Sequence, residues 1–397
     1  MGLSLRDMLI GEDPLNVQRL WNKMYVGSYM NGRRGAMVHA MGALEMALMD
    51  IRGKAQDVPA WKLLGLPPRP EGFIRPYASL QPELPDGVAA NAESYKESLV
   101  NWVHTARKAG FVAGKAEVTI SGPYAHMGMN EPDEKITEIV TACREAAGPS
   151  SAFTLMVDVQ YTWDDAERAL ATLKKWKDLD LFFCETPLPL DDLVGLARLH
   201  RESPVAIACG EMQSHPSEFL ELMDYGLIDV AQPDVGRVGG LMQALKVCEY
   251  ARERGRKIVP HCWKTGVGIA ASAHLAAVTP HCPYIEFLPG EICNSLLRKE
   301  LTVNDELILN SSGCIPIPQR PGLGIELNWN AIEAYDVKNY DLSKYEAMSK
   351  TAATYAAALT DKMVAAMGAS AGREVCKRPA PTGLESTRKR PAAAMIT

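Results

Sequence analysis

The stretch TLMVD, Thr154 to Asp158, decides how the rest of the chain is read. Three apolar residues, Leu155, Met156 and Val157, run straight into a carboxylate. A short apolar run of this kind predicts a buried strand. A charge at its end is costly to bury unless something pairs with it. One such strand would signify little, because many strands simply run out into polar loops. Here the pattern recurs. LFFCE ends at Glu185, VAIACGE at Glu211, LIDVAQPD at Asp234 and KIVPH at His261, and YIEF carries Glu286. Successive ionisable residues stand 27, 26, 23, 27 and 25 residues apart. One strand, one helix and two short connections need about that much chain.

Between these strands the pattern predicts helices over 91–109, 132–146, 164–178, 191–201 and 216–225, then two more within 239–255 and 268–280. Strand–helix alternation argues for a parallel sheet, and roughly eight strands argue for a (β/α) barrel with one irregular unit. An open doubly wound sheet is the rival, but it does not bring six successive strand ends to one centre. Ahead of the alternation, three helices are expected: 13–28, opened by Asp13 as cap and Pro14 in the first turn, then 35–55 and 59–65. His39 and Glu45 in the second of these are read as buried or paired structural groups. FIRPYASL, 73–80, leads into the barrel as one strand.

The chain has 397 residues, enough for one large domain of about 250 residues and a smaller one. A net charge of −6 argues against a general nucleic-acid binder. No run approaches the ~18 apolar residues of a membrane span, and the N-terminus lacks the pattern of a secretory signal. Nine cysteines without a CxxC pair imply reduced thiols, a cytoplasmic setting and no zinc site. The C-terminal Pro-, Lys- and Arg-rich stretch is expected to be a solvated tail.

In a parallel barrel the carboxyl ends of all strands share one face, where active sites sit. Asp158, Glu185 and Glu211 come from consecutive units. Three converging carboxylates repel one another unless a cation lies among them, and an all-oxygen set favours Mg²⁺. Asp234 and His261 suit a dyad in which the acid orients a basic imidazole. The glycines of QPDVGRVGG could instead cradle a phosphate, although the spacing matches no phosphate-loop pattern. Glu286 is either a protonated donor to an oxyanion or an ordinary strand end. Lys115 and Glu117, two apart on a strand, face the same way and serve as an acid, a base or an internal ion pair. A divalent cation, a histidine base and oxyanion donors together suit proton abstraction beside a carboxylate.

The motifs MVDVQ, FCETPL, CGE, QPDVGRVGG, VPHCWKTGVGIAASAH and YIEF, in that order and spacing, resemble the mandelate-racemase branch of the enolase superfamily. The resemblance runs from about residue 10 to about 335. It implies a modified (β/α)₇β barrel with an α+β cap. It implies Asp158, Glu185 and Glu211 as Mg²⁺ ligands, Asp234–His261 as the base dyad and Glu286 as an electrophilic or acid group. Many members carry Lys-x-Lys on the second strand, whereas this chain has Lys115-Ala116-Glu117. Losing the second lysine weakens a racemase reading, and the loop after Glu117 resembles rhamnonate-type acid-sugar dehydratases. Met1 falls near the end of the family's antiparallel cap strands, so a partial, mostly helical cap is expected.

The expected division is a cap over 1–70, a barrel over 71–300, a segment returning to the cap over 301–345 and a helical extension with a tail over 346–397. The expected function is a Mg²⁺-dependent dehydratase of a sugar acid yielding a 2-keto-3-deoxy acid. A hydroxy-acid racemase or epimerase and a non-catalytic relative are the alternatives. The partners expected are a small acid sugar and further copies of the chain as a homo-oligomer, with no nucleic acid or membrane.

Overall fold

A computed structural model describes residues 5–84, 87–263, 265–288, 300–303 and 307–336. The expected extension and tail over 346–397 lie outside the described residues. Four helices come first: α1 (Leu5–Leu9), α2 (Val17–Gly27), α3 (Tyr29–Gly32) and α4 (Ala36–Ala55), then a 3₁₀ turn at Ala60–Leu64. The helix expected over 13–28 begins only at Val17. Asp13 accepts from the Leu15 amide and the Asn16 side chain, so its carboxylate closes a turn of its own instead of capping a helix. Met8, Trp21, Met24 and Met41 pack together between these helices.

The strands are β1 (Phe73–Ile74), β2 (Pro76–Leu80), β3 (Ala113–Glu117), β4 (Thr154–Asp158), β5 (Cys184–Glu185), β6 (Ile207–Cys209), β7 (Val230–Ala231), β8 (Lys257–Ile258), β9 (Ile285–Phe287), β10 (Thr302–Val303), β11 (Ile315–Pro316) and β12 (Glu326–Leu327). The single strand expected over 73–80 is therefore two. β1 pairs antiparallel with β11, while β2 enters the large sheet, and Pro76, which has no N–H to give, stands at the change of partner. The helices are α5 (Ala92–Lys108), α6 (Asp133–Ala147), α7 (Ala166–Leu173), α8 (Leu193–Glu202), α9 (Pro216–Asp224), α10 (Leu241–Glu253), α11 (Gly266–Ala277) and α12 (Trp329–Ala334). Their starts follow local chemistry. Asn91 and Ser94 form a reciprocal capping box on α5, Asp165 caps α7, Asp192 caps α8, and Pro216 occupies the first turn of α9.

Strands β2 to β9 form one parallel sheet in the order β8-β7-β6-β5-β4-β3-β2-β9. The sheet curls until its edges meet, where the Glu286 amide donates to Pro260 O at 3.4 Å and the Ile258 amide to His281 O at 3.2 Å. Helices α5 to α11 separate consecutive strands, which gives eight strands and seven helices, the expected (β/α)₇β barrel with a largely helical domain before it.

The apolar run before Asp158 now has its explanation. Both faces of each strand are covered, so alternation is hidden in an all-apolar pattern. Leu155 and Val157 pack toward the helices, whereas Met156 fills the barrel interior. A separate interior cluster takes one side chain from each strand or its flank, from Tyr77 on β2 round to Tyr284 beside β9. Two residues further along, every strand but β6, which has Gly210 there, presents a polar residue: Ser79, Lys115, Asp158, Glu185, Gln232, His261 and Glu286.

The C-terminal segment packs on the first helices. Asp50 on α4 accepts from the Leu323 amide at 2.8 Å, the Ala60 amide donates to Gly322 O at 2.8 Å, and Trp61 Nε1 donates to Pro318 O at 2.8 Å.

Candidate active site

A cavity opens above the apolar interior cluster. Strand register sets its floor. Glu117 on β3 pairs with Asp158 on β4, and Asp158 with Glu185 on β5, so three carboxylates stand at one level on adjacent strands. Neighbouring strands lie only about 4.8 Å apart. Of the expected site residues, Lys115, Glu117, Asp158, Glu211, His261 and Glu286 line the cavity. Glu185 and Asp234 do not; they sit behind it, bonded to Lys115 and His261. Glu211, Asp234 and His261 are not strand ends, since β6, β7 and β8 stop two to three residues before them. Short loops carry these groups over the mouth.

Lys115 is 3% exposed and serves three acids. Its Nζ lies 2.8 Å from Glu185 Oε2, 3.3 Å from Glu286 Oε1 and 3.7 Å from Asp158 Oδ2. It therefore stays charged, with its acidity held well below that of an ordinary lysine although burial opposes this. His261 is held from both sides. Nδ1 is 2.8 Å from Asp234 Oδ2 and Nε2 is 3.0 Å from Glu211 Oε2. Burial alone would depress the imidazole, but Glu286, Asp234 and Glu211 outweigh it and hold it up at about 10. Glu211 is correspondingly low, at about 2, because the imidazole overcomes its burial.

In the remaining acids burial outweighs the partners they have. Burial, and then Glu185, push Asp158 well above the usual carboxylate range. Burial raises Glu185 despite Lys115, and among the described residues its buried Oε1 has no hydrogen-bond partner. Burial also lifts Glu117 to about 7, against Lys115, Gln81 and Thr119. Among the described residues, Glu117, Asp158, Glu185, Glu211, Asp234 and Glu286 thus face two permanent cations, Lys115 and Arg237, and one imidazole.

This donor set suits a hard divalent cation: all oxygen, in charge excess, with an orphaned oxygen on Glu185. Among the described residues, however, no three such groups stand drawn together as a ready ligand cluster. Glu185 leans on Lys115 and Glu211 on His261 instead. Lys115 and Glu117 both reach the cavity, and Lys115 bonds Glu185 and Glu286, not Glu117.

The glycines of QPDVGRVGG serve packing. A Cβ on Gly42 of α4 would lie 2.3 Å from Gly236 O, and one on Gly240 would lie 2.2 Å from Glu45 Oε2. Trp21 Nε1 donates to Gly239 O at 2.7 Å, and Glu45 accepts from the amides of Leu241 and Met242 at 2.9 and 3.0 Å. The glycines thus admit α4 and the carboxylate that caps α10. The same loop positions Asp234, whose other oxygen accepts from the Arg237 amide at 3.0 Å, and Arg237, which donates to Glu211 O at 3.1 Å.

Sequence reasoning did not single out Ser79, Gln81, Tyr124, Gln160, Tyr161, Met212, Arg237 and Trp263, which also line the cavity. Five of them were within reach. Gln160, Tyr161, Met212, Arg237 and Trp263 each follow an expected acid, base or dyad member by one to three residues, where a barrel's loops leave the strands.

Residues 98–331 match the family description "Enolase C-terminal domain-like", and residues 2–65 match "Mandelate racemase / muconate lactonizing enzyme, N-terminal domain". The chain is 29% identical over 339 residues to a D-galactarolactone cycloisomerase of Agrobacterium fabrum, covering 82% of each. It is 28% identical over 347 residues to a D-xylonate dehydratase of Haloferax volcanii, covering 85% of this chain and 79% of that one. A solved structure of a racemase from Streptomyces coelicolor A3(2) with bound magnesium superposes with a TM-score of 0.68 at 27% identity, covering 83% of this chain and 81% of that one.

Proposed function

The chain belongs to the enolase superfamily, and we propose that it is a divalent-cation-dependent dehydratase that removes the proton α to the carboxylate of a sugar acid and expels the β-hydroxyl as water. The observation that carries this reading is His261, fixed through Nδ1 by Asp234 and turned with Nε2 toward Glu211 in a cavity that Glu117, Asp158 and Glu286 also line. Similarity to the xylonate dehydratase and the galactarolactone cycloisomerase supports an acid-sugar substrate.

Asp158, Glu185 and Glu211 would hold Mg²⁺, which when bound supplies the positive charge that acidifies the α-proton of a carboxylate beside it. Asp234 keeps the Nδ1 proton on His261, so Nε2 is the position that exchanges protons with substrate. For that exchange Glu211 must release Nε2, and with that partner withdrawn the imidazole sheds the proton that Glu211 helps hold on it, which makes Glu211 the acid that couples the cation set to the base. His261 Nε2 takes the α-proton, the β-carbon–oxygen bond breaks, and the same nitrogen returns the proton to the leaving oxygen as water forms. The enol left behind tautomerises to the 2-keto-3-deoxy acid. Lys115 and Glu286, paired at 3.3 Å, with Glu286 on the strand beside His261 and 3.9 Å from its Nε2, balance charge where the carboxylate becomes electron-rich.

An epimerase is the second reading, and Glu117 is its motive. A buried carboxyl near 7 can exchange a proton with the other face of the substrate. A screen of an acid-sugar library with Mg²⁺, scored by keto-acid release, tests the dehydratase. Keto acid from one or a few members with unchanged α-configuration in recovered substrate is expected. Racemised α-carbon without keto acid would move the assignment to epimerase through Glu117.

A further inference from the structure

We propose that Tyr161 is a specificity-determining residue whose phenol hydrogen-bonds a hydroxyl on the chain of the sugar acid, a proposal that rests on the acid-sugar reading above. Tyr161 is delivered to the cavity by an uncommon backbone. After Asp158 the chain passes through Gln160 at φ +39° and Tyr161 at φ +60°, two consecutive non-glycine residues in the left-handed region. Such a conformation is disfavoured for a bulky side chain and persists only when the surroundings hold it.

The surroundings do hold it. The Tyr161 amide donates at 2.6 Å to the carbonyl of Thr186, itself left-handed at φ +47° directly after Glu185. The Trp163 amide donates to Pro187 O at 3.2 Å, and Thr162 Oγ1 donates to Ser121 O at 3.2 Å. Gly122 closes against Thr162 so tightly that a Cβ there would lie 2.6 Å from Thr162 Cα. The loops after β3, β4 and β5 therefore lock one turn, and that turn ends in Tyr161.

A ring held only for packing would lie in the core. Tyr161 instead lines the cavity, with its ring centroid 5.4 Å from that of Tyr124. Burial keeps the phenol protonated, hence a donor, throughout the working pH range. Gln81 and Gln160 add amides to the same cavity and Trp263 adds a third aromatic ring. Aromatic faces for C–H groups, with neutral donors and acceptors between them, are what a polyhydroxylated chain offers contacts to.

The test uses the full chain with Mg²⁺ and the acid-sugar library, comparing wild type with Tyr161→Phe, which keeps the ring and its packing. For the best substrate, Tyr161→Phe should raise KM about tenfold, with a smaller change in kcat and an unchanged melting temperature. Wild type should also prefer that substrate to the analogue lacking the contacted hydroxyl, found among its monodeoxy derivatives, and Tyr161→Phe should lose about tenfold of that preference. An active wild type whose KM and deoxy discrimination are unmoved by Tyr161→Phe would overturn the role of Tyr161 alone. A wild type that neither turns over any member nor binds one by calorimetry as the His261→Asn variant would overturn the acid-sugar reading, and this proposal with it.

Discussion

Glu45 and Glu185 are both wholly buried acids, yet one has everything it needs and the other does not. Glu45, on α4, accepts amide hydrogen bonds at 2.9 and 3.0 Å from the first turn of α10, where a helix favours an acceptor. Glu185, in the barrel, has one oxygen on Lys115 and the other without a partner. The difference extends to their neighbourhoods. Around Glu45 the packing is close and neutral, with Gly42 and Gly240 making room for it. Around Glu185 other acids crowd one lysine. Satisfied burial stabilises a fold; unsatisfied burial costs stability and persists where a ligand will relieve it. The seam between α4 and α10 is therefore a structural region and the barrel floor a chemical one.

The sharpest separation comes from His261→Asn. Removing the base should lower turnover by about 10²–10⁴-fold while the melting temperature and Mg²⁺ affinity stay close to wild type. Comparable loss of Mg²⁺ binding, measured by calorimetry, would place His261 among the ligands instead.

The seam should show the inverse. Glu45→Ala removes both helix caps and leaves a small cavity, so unfolding free energy should fall by about 3 kcal/mol, whereas Glu45→Gln should cost about 1 kcal/mol or less. Burial lifts Glu45 to about 7, outweighing the two amides. Its folded value exceeds the unfolded one, so its contribution is full below the unfolded value of 4.5 and is lost as pH rises through 7. Denaturant melts from pH 4 to 8 should show that slope in wild type and its absence in Glu45→Gln.

His274 on α11 supplies a slope of opposite sign. It is buried, its Nδ1 accepts from the Trp61 amide at 3.2 Å, and burial depresses it to about 4. That contribution is full above the unfolded value of 6.5 and is lost as pH falls through 4, by about 3 kcal/mol. A substitution to Gln that flattened no part of the acid limb would remove His274 from this account.

Asp158→Asn should have the smallest effect on stability and an informative sign. Without Mg²⁺ the variant should melt slightly higher than wild type, by about 1 kcal/mol, because one crowded charge is gone. Added Mg²⁺ should raise the melting temperature of wild type and leave Asp158→Asn nearly unmoved. A variant less stable than wild type under both conditions would mean that the floor, like the seam, is structurally satisfied.

Much of the floor is legible in the chain. Asp158 and Glu185 end strands whose two buried faces leave apolar runs, and a period near 26 residues exposes the repeat. Glu211, Asp234 and His261 share that period although they sit in loops, because each loop leaves its strand at the same height. That Glu45 is a buried or paired structural group is legible, but what it pairs with is not. Its partners Leu241 and Met242 are 196 and 197 residues away, and no local pattern announces them. The glycines of QPDVGRVGG are visible as glycines, but whether they face a phosphate or a helix depends on what packs there. Tyr161 looks like any loop tyrosine until its backbone is seen to be left-handed.

What the sequence by itself determined is the alternation of elements, the residues that start several of the helices, and the recurrence of acids and a base at one end of the repeat. These follow from periodicity and capping, which act over a few residues. Only the tertiary structure decided that Pro76 divides one expected strand between two sheets, that Lys115 serves three acids while Glu117 stands apart, that Glu211 and Asp234 hold opposite sides of one imidazole, and that α4 fills the glycine-lined loop. Each of those depends on contacts between residues distant in the chain, and such contacts exist only once the barrel has closed.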